Sequence, residues 1–185
     1  ALVEIAEQDR HASDVVGGFA RLLKAGERQS ERLDLNEVIG EVLELARVDL
    51  ERRGVEVTND AVEAIPDVRG DRVLLSMILF NLVRNAAEAM SANKTADRRL
   101  SIGTARRDRG VEVTVSDLGP GIPAEDHERI FDPFFTTRAD GSGLGLAVSR
   151  TLVEMHGGKI WCSPGPEGRG TDMYVLLPTA DGRPV

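Results

Sequence analysis

The run DRVLLSMILFNLVRNAAEAM, Asp71 to Met90, restricts what this chain can fold into more than any other stretch. Leu75, Ile78, Leu79, Leu82, Ala86 and Ala89 recur at helical spacing, which predicts a helix over 71–90 whose apolar face needs cover from other elements. Asn81 and Asn85 interrupt it, and each is less favourable than alanine by roughly half a kcal/mol, because the side-chain amide competes for backbone hydrogen bonds. At about 100° per residue, Asn81, Asn85 and Glu88 fall in one stripe about 60° wide along the edge of the apolar face. Such a stripe is either a solvated edge or the wall of a cavity, and the helix alone leaves both readings open.

Around this helix the patterns alternate. Leu2, Ile5, Ala12, Val16, Phe19 and Leu23 follow a coiled-coil-type spacing and predict an amphipathic helix of about 24 residues, roughly 36 Å long. Gly17 and Gly18 weaken it by about 1 kcal/mol each, so a helix folded back on its own domain is the competing reading. KAGERQSERLD reads as a linker. DLNEVIGEVLELARVDLERRG predicts a second helix, capped by Asp34 or Asn36 and stopped at Gly54. VEVTND predicts a strand, and RLSIGTARRDRGVEVTVSD a hairpin turning near Asp108 to Gly110. After a loop-rich stretch from Leu118 to Gly143 come a helix, GLAVSRTLVEMHG, closed by Gly157 and Gly158, and two strands, KIWCS and TDMYVLLP. Helices mixed with antiparallel pairs indicate an α+β fold, a two-layer sandwich with helices on one face of a sheet. The tail TADGRPV is expected to be disordered.

Charge and composition narrow the function. A net charge of −8 disfavours a general nucleic-acid binder, since phosphate backbones select basic surfaces, but a nucleotide can still bind in a local pocket. The lone Cys162 forbids an internal disulfide and a cysteine-only metal cluster, which suits a reducing compartment. No apolar run is expected to reach membrane-spanning length, and ALVEIAEQDRHASD lacks the order of a signal peptide, so the segment is expected to be cytoplasmic.

Two further stretches carry chemistry. In VTVSDLGPGIP, Asp117 ends an apolar strand and Gly119 and Gly121 follow, allowing a sharp turn and close approach of backbone to a ligand. A carboxylate at the buried end of a strand needs a donor, which the amino group of adenine would supply; an ordinary turn is the alternative. In GSGLGL, Gly141 to Leu146, glycines open a helix, where exposed N–H groups and the positive end of the dipole seat phosphate. The stretch is neither a Walker loop nor a dinucleotide fingerprint.

Taken in order, the Asn-bearing helix, Asp-x-Gly-x-Gly-Ile, IFDPFFTTR, GSGLGL, HGGKI and GRGTDMYVLLP resemble the ATP-binding domain of sensor histidine kinases, in the superfamily that also holds gyrase, Hsp90 and MutL. NLVRNAAEAM and DPFFTTR are most similar to the nitrogen-fixation and nitrogen-regulation subgroup. The resemblance covers about Leu33 to Pro178 and implies a Bergerat-type fold over residues 31–178. It also implies that residues 1–30 are the second helix of a dimerisation and phosphotransfer hairpin with its linker, and that 179–185 form a tail.

The resemblance further implies Mg²⁺ and ATP as cofactors. Asn85 matches the metal-ligating Asn, and with Asn81 it would be catalytic; Asp117 matches the acid that reads adenine, supported by Thr171. Gly119, Gly121 and Ile122 would line the base. Gly141, Ser142, Gly143, Leu144, Gly145 and Leu146 would hold the phosphates, while Phe131 to Arg138 would form much of a mobile lid, with Arg138 facing phosphate. Glu88 would sit in the nucleotide site in a role left open. Asn81 stands where hydrolysing relatives carry a Glu, and an amide cannot take a proton from water, so the implied reaction is transfer of the γ-phosphoryl group to a histidine.

None of His11, His127 and His156 fits the family's acceptor pattern, so the acceptor is expected on a hairpin helix outside this chain. The implied partners are that histidine, a response-regulator receiver domain and a second copy of the full-length protein, with membrane anchoring of the full-length protein left open. An anti-sigma-type serine kinase and an ATP-driven clamp of the same superfamily are the alternatives.

Overall fold

The computed structural model describes residues 30–62, 64–92, 97–108, 110–138, 141–165 and 168–182. The amphipathic helix expected from Leu2 to Leu23, most of the linker and His11 lie outside the described residues. In chain order the elements are β1 (Glu31–Leu33), α1 (Leu35–Arg52), β2 (Glu56–Ala61), β3 (Val68–Gly70), α2 (Arg72–Ala92), β4 (Arg99–Arg107), β5 (Gly110–Asp117), α3 (Gly145–Met155), β6 (Lys159–Pro164) and β7 (Thr171–Pro178). Two short 3-10 turns, Ala124–Asp126 and Arg129–Phe131, break the long loop before α3.

Local chemistry sets these boundaries. Asp34 caps α1 by accepting the Asn36 backbone N–H at 2.8 Å, and Gly54 turns the chain away at φ 65°. Asp71 caps α2 the same way, its carboxylate accepting the N–H groups of Val73 and Leu74 at 2.9 and 3.2 Å. The α3 helix closes on His156, whose Nδ1 donates to the Leu152 carbonyl at 2.7 Å while Nε2 accepts the Asp71 N–H at 3.1 Å. One imidazole thus joins the end of α3 to the start of α2.

The main sheet has the order β2-β4-β5-β7-β6. The β4–β5, β5–β7 and β7–β6 pairs are antiparallel, as expected, but β2 joins β4 in parallel. Strand alternation then decides which side is covered: Leu100 and Ile102, Val111, Val113 and Val115, Met173, Val175 and Leu177, and Ile160 are all buried on the face toward the helices. Against them pack Val38, Ile39 and Val42 of α1, Leu75, Ile78, Leu79, Leu82 and Val83 of α2, and Leu152 and Val153 of α3. Each such side chain contributes on the order of 1.5–3 kcal/mol by leaving water. This is the two-layer α+β sandwich expected from the sequence.

Three features differ from the sequence reading. Glu31–Leu33 and Val68–Gly70 form a separate two-stranded antiparallel sheet, although both lie in stretches without alternation. The residues after Pro178, expected to be a loose tail, are held through Gly182: Thr179 bridges Val68, Ala180 N–H donates to the Asp67 carbonyl at 2.7 Å, and Asp181 accepts Arg32 twice at 3.1 Å. Finally, Arg72–Ser91 does have the length and mean hydropathy, 1.4, of a spanning helix, contrary to the expectation that no run approaches it. Half of that window is buried inside the domain, where α2 is the helix that α1 and α3 flank, and its apolarity serves the core.

Candidate functional site

Val111, Val113, Val115 and Asp117 occupy alternate positions of β5 and so point to the same face, which places the Asp117 carboxylate under the helix layer at the end of the sheet. It is 5% exposed. Its Oδ1 accepts the Gly119 N–H at 2.7 Å, and the backbone N–H of Thr171, its partner across the β5–β7 ladder, also donates to it. Burial pushes the Asp117 carboxyl up to about 6, against these two donors, and the nearby Asp172 adds to the rise. A buried carboxylate with remaining acceptor capacity is suited to a donor such as an exocyclic amino group.

Backbone packing makes room for nothing but glycine beside it. Gly170 has φ 69°, and a Cβ there would overlap the Asp117 carbonyl, so β7 can start this close to the end of β5 only without a side chain.

Asp117 opens into a cavity of about 590 Å³ that runs between α2, the loop before α3 and the start of α3 itself. That is within the usual range for small-molecule sites. The Asp117 end, with Ala89, Gly121, Ile122, Thr171 and Met173, is largely apolar. At the other end the first N–H groups of α3 belong to Gly145, Leu146 and Ala147, which precede the first bond of the helix ladder, Val148 N–H to Leu144 O at 2.9 Å. Of these, Gly145 and Leu146 line the cavity with Gly141, Ser142 and Gly143. Gly143, at φ 67°, lies against the Phe134 backbone so closely that a Cβ would overlap it, and Phe134 N–H donates to the Gly143 carbonyl at 2.9 Å. Phe134 itself takes φ 65°, a strained value for a non-glycine residue, so this loop is held in one conformation by two opposed backbones.

Between the two ends stand Asn85 and Glu88 on α2, with Arg138 reaching across from the loop. The Arg138 guanidinium pairs with Glu88 and donates to Asn85 Oδ1 at 3.4 Å, and Arg84 approaches Glu88 at 3.7 Å. The donor set fits a hard cation shared with a polyanion: Asn85 offers one neutral oxygen at the wall, and Gly145 and Leu146, whose N–H groups come before the first bond of the α3 ladder, line the same cavity.

Of the residues singled out from the sequence, the cavity thus gathers Asn85, Glu88, Asp117, Gly121, Ile122, Arg138, Gly141, Ser142, Gly143, Gly145, Leu146 and Thr171. It does not gather Asn81, Gly119, Phe131 or Leu144. Asn81 Nδ2 donates to the buried Ser149 hydroxyl of α3 at 3.0 Å, and a Cβ at Gly145 would press on Asn81 Oδ1 at 2.6 Å, so this amide joins α2 to the start of α3. Gly119 supports the Asp117 carboxylate from behind. Phe131 is buried in the core with the Arg150 guanidinium 4.5 Å over its ring, and Leu144 precedes the first turn of α3. Sequence reasoning missed Pro120 and Met173 along the wall, whereas Phe135, Thr136 and Thr137, which also line it, fall within the stretch read as a lid. Met173 was within reach, since strand alternation from Thr171 points it to the same face. His127 and His156 both spend ring nitrogens on backbone carbonyls, of Ile122 at 3.0 Å and Leu152 at 2.7 Å.

Known proteins resemble this chain in sequence and fold. Residues 70–181 match the family described as histidine kinase-, DNA gyrase B-, and HSP90-like ATPase. The C4-dicarboxylate transport sensor protein DctS of Rhodobacter capsulatus is 35% identical over 187 residues, covering 100% of this chain and 28% of DctS, so the chain spans under a third of that relative. The crystallised catalytic domain of the histidine kinase ThkA superposes with a TM-score of 0.73 at 33% identity, covering 82% of this chain and 97% of that one. ThkA in complex with the response regulator protein TrrA superposes with a TM-score of 0.71 at 26% identity, over 97% of this chain and 61% of ThkA. A buried strand-end carboxylate, an asparagine-edged core helix and a glycine-opened helix around one cavity, together with these matches, place the chain in the histidine kinase-, DNA gyrase B- and HSP90-like ATPase family, as a catalytic domain of the sensor histidine kinase kind.

Proposed function

We propose that this domain binds Mg²⁺ and ATP in the cavity described above and presents the γ-phosphoryl group to a histidine outside the described residues. The observation that carries the reading is the polarity of the cavity from end to end: the buried Asp117 carboxylate at one end, unpaired helix N–H groups at the other, and the Asn85 amide oxygen between them. Asp117 accepts the adenine amino group while Ile122 and Met173 pack on the base. The N–H groups of Gly145 and Leu146 receive the phosphates. Asn85 would hold the metal through Oδ1, and the metal would supply positive charge to offset that of the phosphates. Asn81 cannot serve as a base, and its tie to Ser149 directs it to the α2–α3 contact rather than to a water. Transfer therefore relies on positioning, with an imidazole nitrogen as nucleophile.

The wording of NLVRNAAEAM and DPFFTTR supports the nitrogen-regulation subgroup. The complex of ThkA with a response regulator supports a receiver domain as the next partner. Dimerisation through a two-helix hairpin and a cytoplasmic position follow from the same sensor-kinase kinship. Two measurements test the reading. Calorimetry should show ATP bound more tightly than GTP, whose base presents a carbonyl to Asp117, and equal affinities would sink the assignment. Label from γ-labelled ATP should pass to a separately supplied histidine-bearing hairpin of a sensor kinase, and transfer to a serine-bearing partner instead would favour the serine kinase alternative.

A further inference from the structure

Arg138 already brings a cation to Asn85, between the two ends of the cavity. One terminal nitrogen of its guanidinium pairs with Glu88 Oε2 and the other donates to Asn85 Oδ1 at 3.4 Å. That amide oxygen is the same atom proposed above to face the metal. It cannot serve a guanidinium and a divalent cation side by side, because two positive charges about 4 Å apart repel unless an anion stands between them. Glu88 lies one turn further along the same edge of α2, with 25% of its side chain exposed, and draws on Arg84 as well at 3.7 Å. No step of the proposed transfer uses it. A triphosphate in the cavity therefore meets a carboxylate of like charge and an arginine that this carboxylate holds.

We propose that Glu88 is a positioning residue that acts through Arg138: it holds the guanidinium against α2, and the triphosphate competes with it for the same guanidinium. Nucleotide binding then swaps one anion for another on Arg138 and frees Asn85 Oδ1 in the same movement. Metal and triphosphate are admitted together, because removing Arg138 from Asn85 and Glu88 without a phosphate to receive it leaves the guanidinium without either partner and Glu88 with only the longer Arg84 contact. Thr136 is tied to this motion, since its hydroxyl accepts the Arg138 backbone N–H at 3.1 Å, so departure of Arg138 from Glu88 should be felt along that strip of loop.

This rests on the nucleotide reading of the cavity, and the test separates the two. Four proteins are compared: the chain as it is, Glu88→Gln, Arg138→Ala and the double variant. In the nucleotide-free protein, hydrogen exchange at the backbone amide of residue 138, which donates to the Thr136 hydroxyl, should be faster in both single variants and no faster still in the double. ATP affinity by calorimetry in the presence of Mg²⁺ should rise about 2- to 5-fold in Glu88→Gln, the size expected of a partly exposed ion pair. In the Arg138→Ala background the same substitution should leave affinity unchanged within 1.5-fold, roughly, since the coupling is lost with the partner. A gain of the same size with or without Arg138 would mean that Glu88 merely repels phosphate, and would overturn the proposal. So would exchange rates that do not respond to Glu88→Gln. If the unaltered chain bound no ATP, the function reading would fail, while the exchange comparison would still decide whether Glu88 holds Arg138.

Discussion

Replacing Asp117 by Asn should make the protein more stable and a poorer binder of ATP, with a pH signature. Burial raises the Asp117 carboxyl from 3.8 to about 6. At roughly 1.4 kcal/mol per unit, the ionised side chain destabilises the fold by about 3 kcal/mol at neutral pH relative to the unfolded chain. The sign follows from proton counts: between 3.8 and about 6 the folded chain binds more protons than the unfolded one, so this contribution to stability falls as pH rises through that window. It is absent below the window and complete above it. Asparagine has no charge to bury, and its Oδ1 can still accept the Gly119 N–H, although its NH₂ then faces the N–H of Thr171, an offset of about 1 kcal/mol. Urea unfolding at pH 8 should therefore favour the variant by about 2 kcal/mol, and at pH 4 the advantage should vanish or reverse. The change in the difference between the two pH values, about 2.5 kcal/mol, is independent of what the asparagine does to packing. Calorimetry should show ATP weakened by about 1–3 kcal/mol, the loss of a charge-assisted bond in a buried site. A variant whose stability differs from the parent by the same amount at both pH values would refute the assignment of a penalised charge to Asp117.

Three further outcomes are expected. Gly170→Ala must accommodate a Cβ on the Asp117 carbonyl at φ 69°, so it should lose about 3 kcal/mol by denaturant unfolding, and a loss under about 1 kcal/mol would show that the β5–β7 junction yields easily. Ser149→Ala leaves the Asn81 amide without its 3.0 Å partner and should cost about 1–3 kcal/mol of stability, with ATP affinity altered much less; a large affinity loss at unchanged stability would return Asn81 to the binding site. Titration of Mg²⁺ into the nucleotide-free protein should give no tight binding, since Asn85 supplies a single neutral oxygen, and a micromolar-scale site would contradict its proposed role.

Much of this arrangement was legible in the sequence, and the failures share a cause. Periodicity identified α2, the β4–β5 hairpin and the strand that ends at Asp117, because each is long, α2 repeats its buried residues at helical spacing, and β4 alternates buried with less buried positions. Glu31–Leu33 and Val68–Gly70 are three residues each, too short to show a period, and they exist because they pair with one another. The parallel joining of β2 to β4 leaves no mark within either strand, since pairing partners are decided across the chain. Asn81 and Asn85 look equivalent one turn apart. Only the position of α3 separates them, by bringing the Ser149 hydroxyl to the first and leaving the second to the cavity. Phe131, read as part of a lid, is instead where that loop is anchored, under Arg150.

The two ends of the cavity are built on different physical terms. At the base end Asp117, Thr171 and Gly170 lie at the junction of two paired strands, and backbone packed on backbone cannot shift without disturbing the β5–β7 ladder. That rigidity suits a group that must discriminate by hydrogen-bond direction, and by keeping water from the Asp117 carboxyl it raises its pKa, against the Gly119 and Thr171 N–H groups that favour the charge. At the phosphate end the interactions are between Glu88, Arg84, Arg138 and Asn85, partly exposed side chains whose pairings can be exchanged at little cost. The helix α2 carries both regimes on one rod. Ala89 and Asn85, both at the wall, are four residues apart, so they lie one turn apart on one face, and the proposed spacing of base and phosphates is set against a helix that Ile78, Leu79, Leu82 and Val83 pack into the core. A ligand is then read for identity where the protein cannot move and held by charge where it can, which is the division that phosphoryl transfer to a separate, mobile acceptor requires.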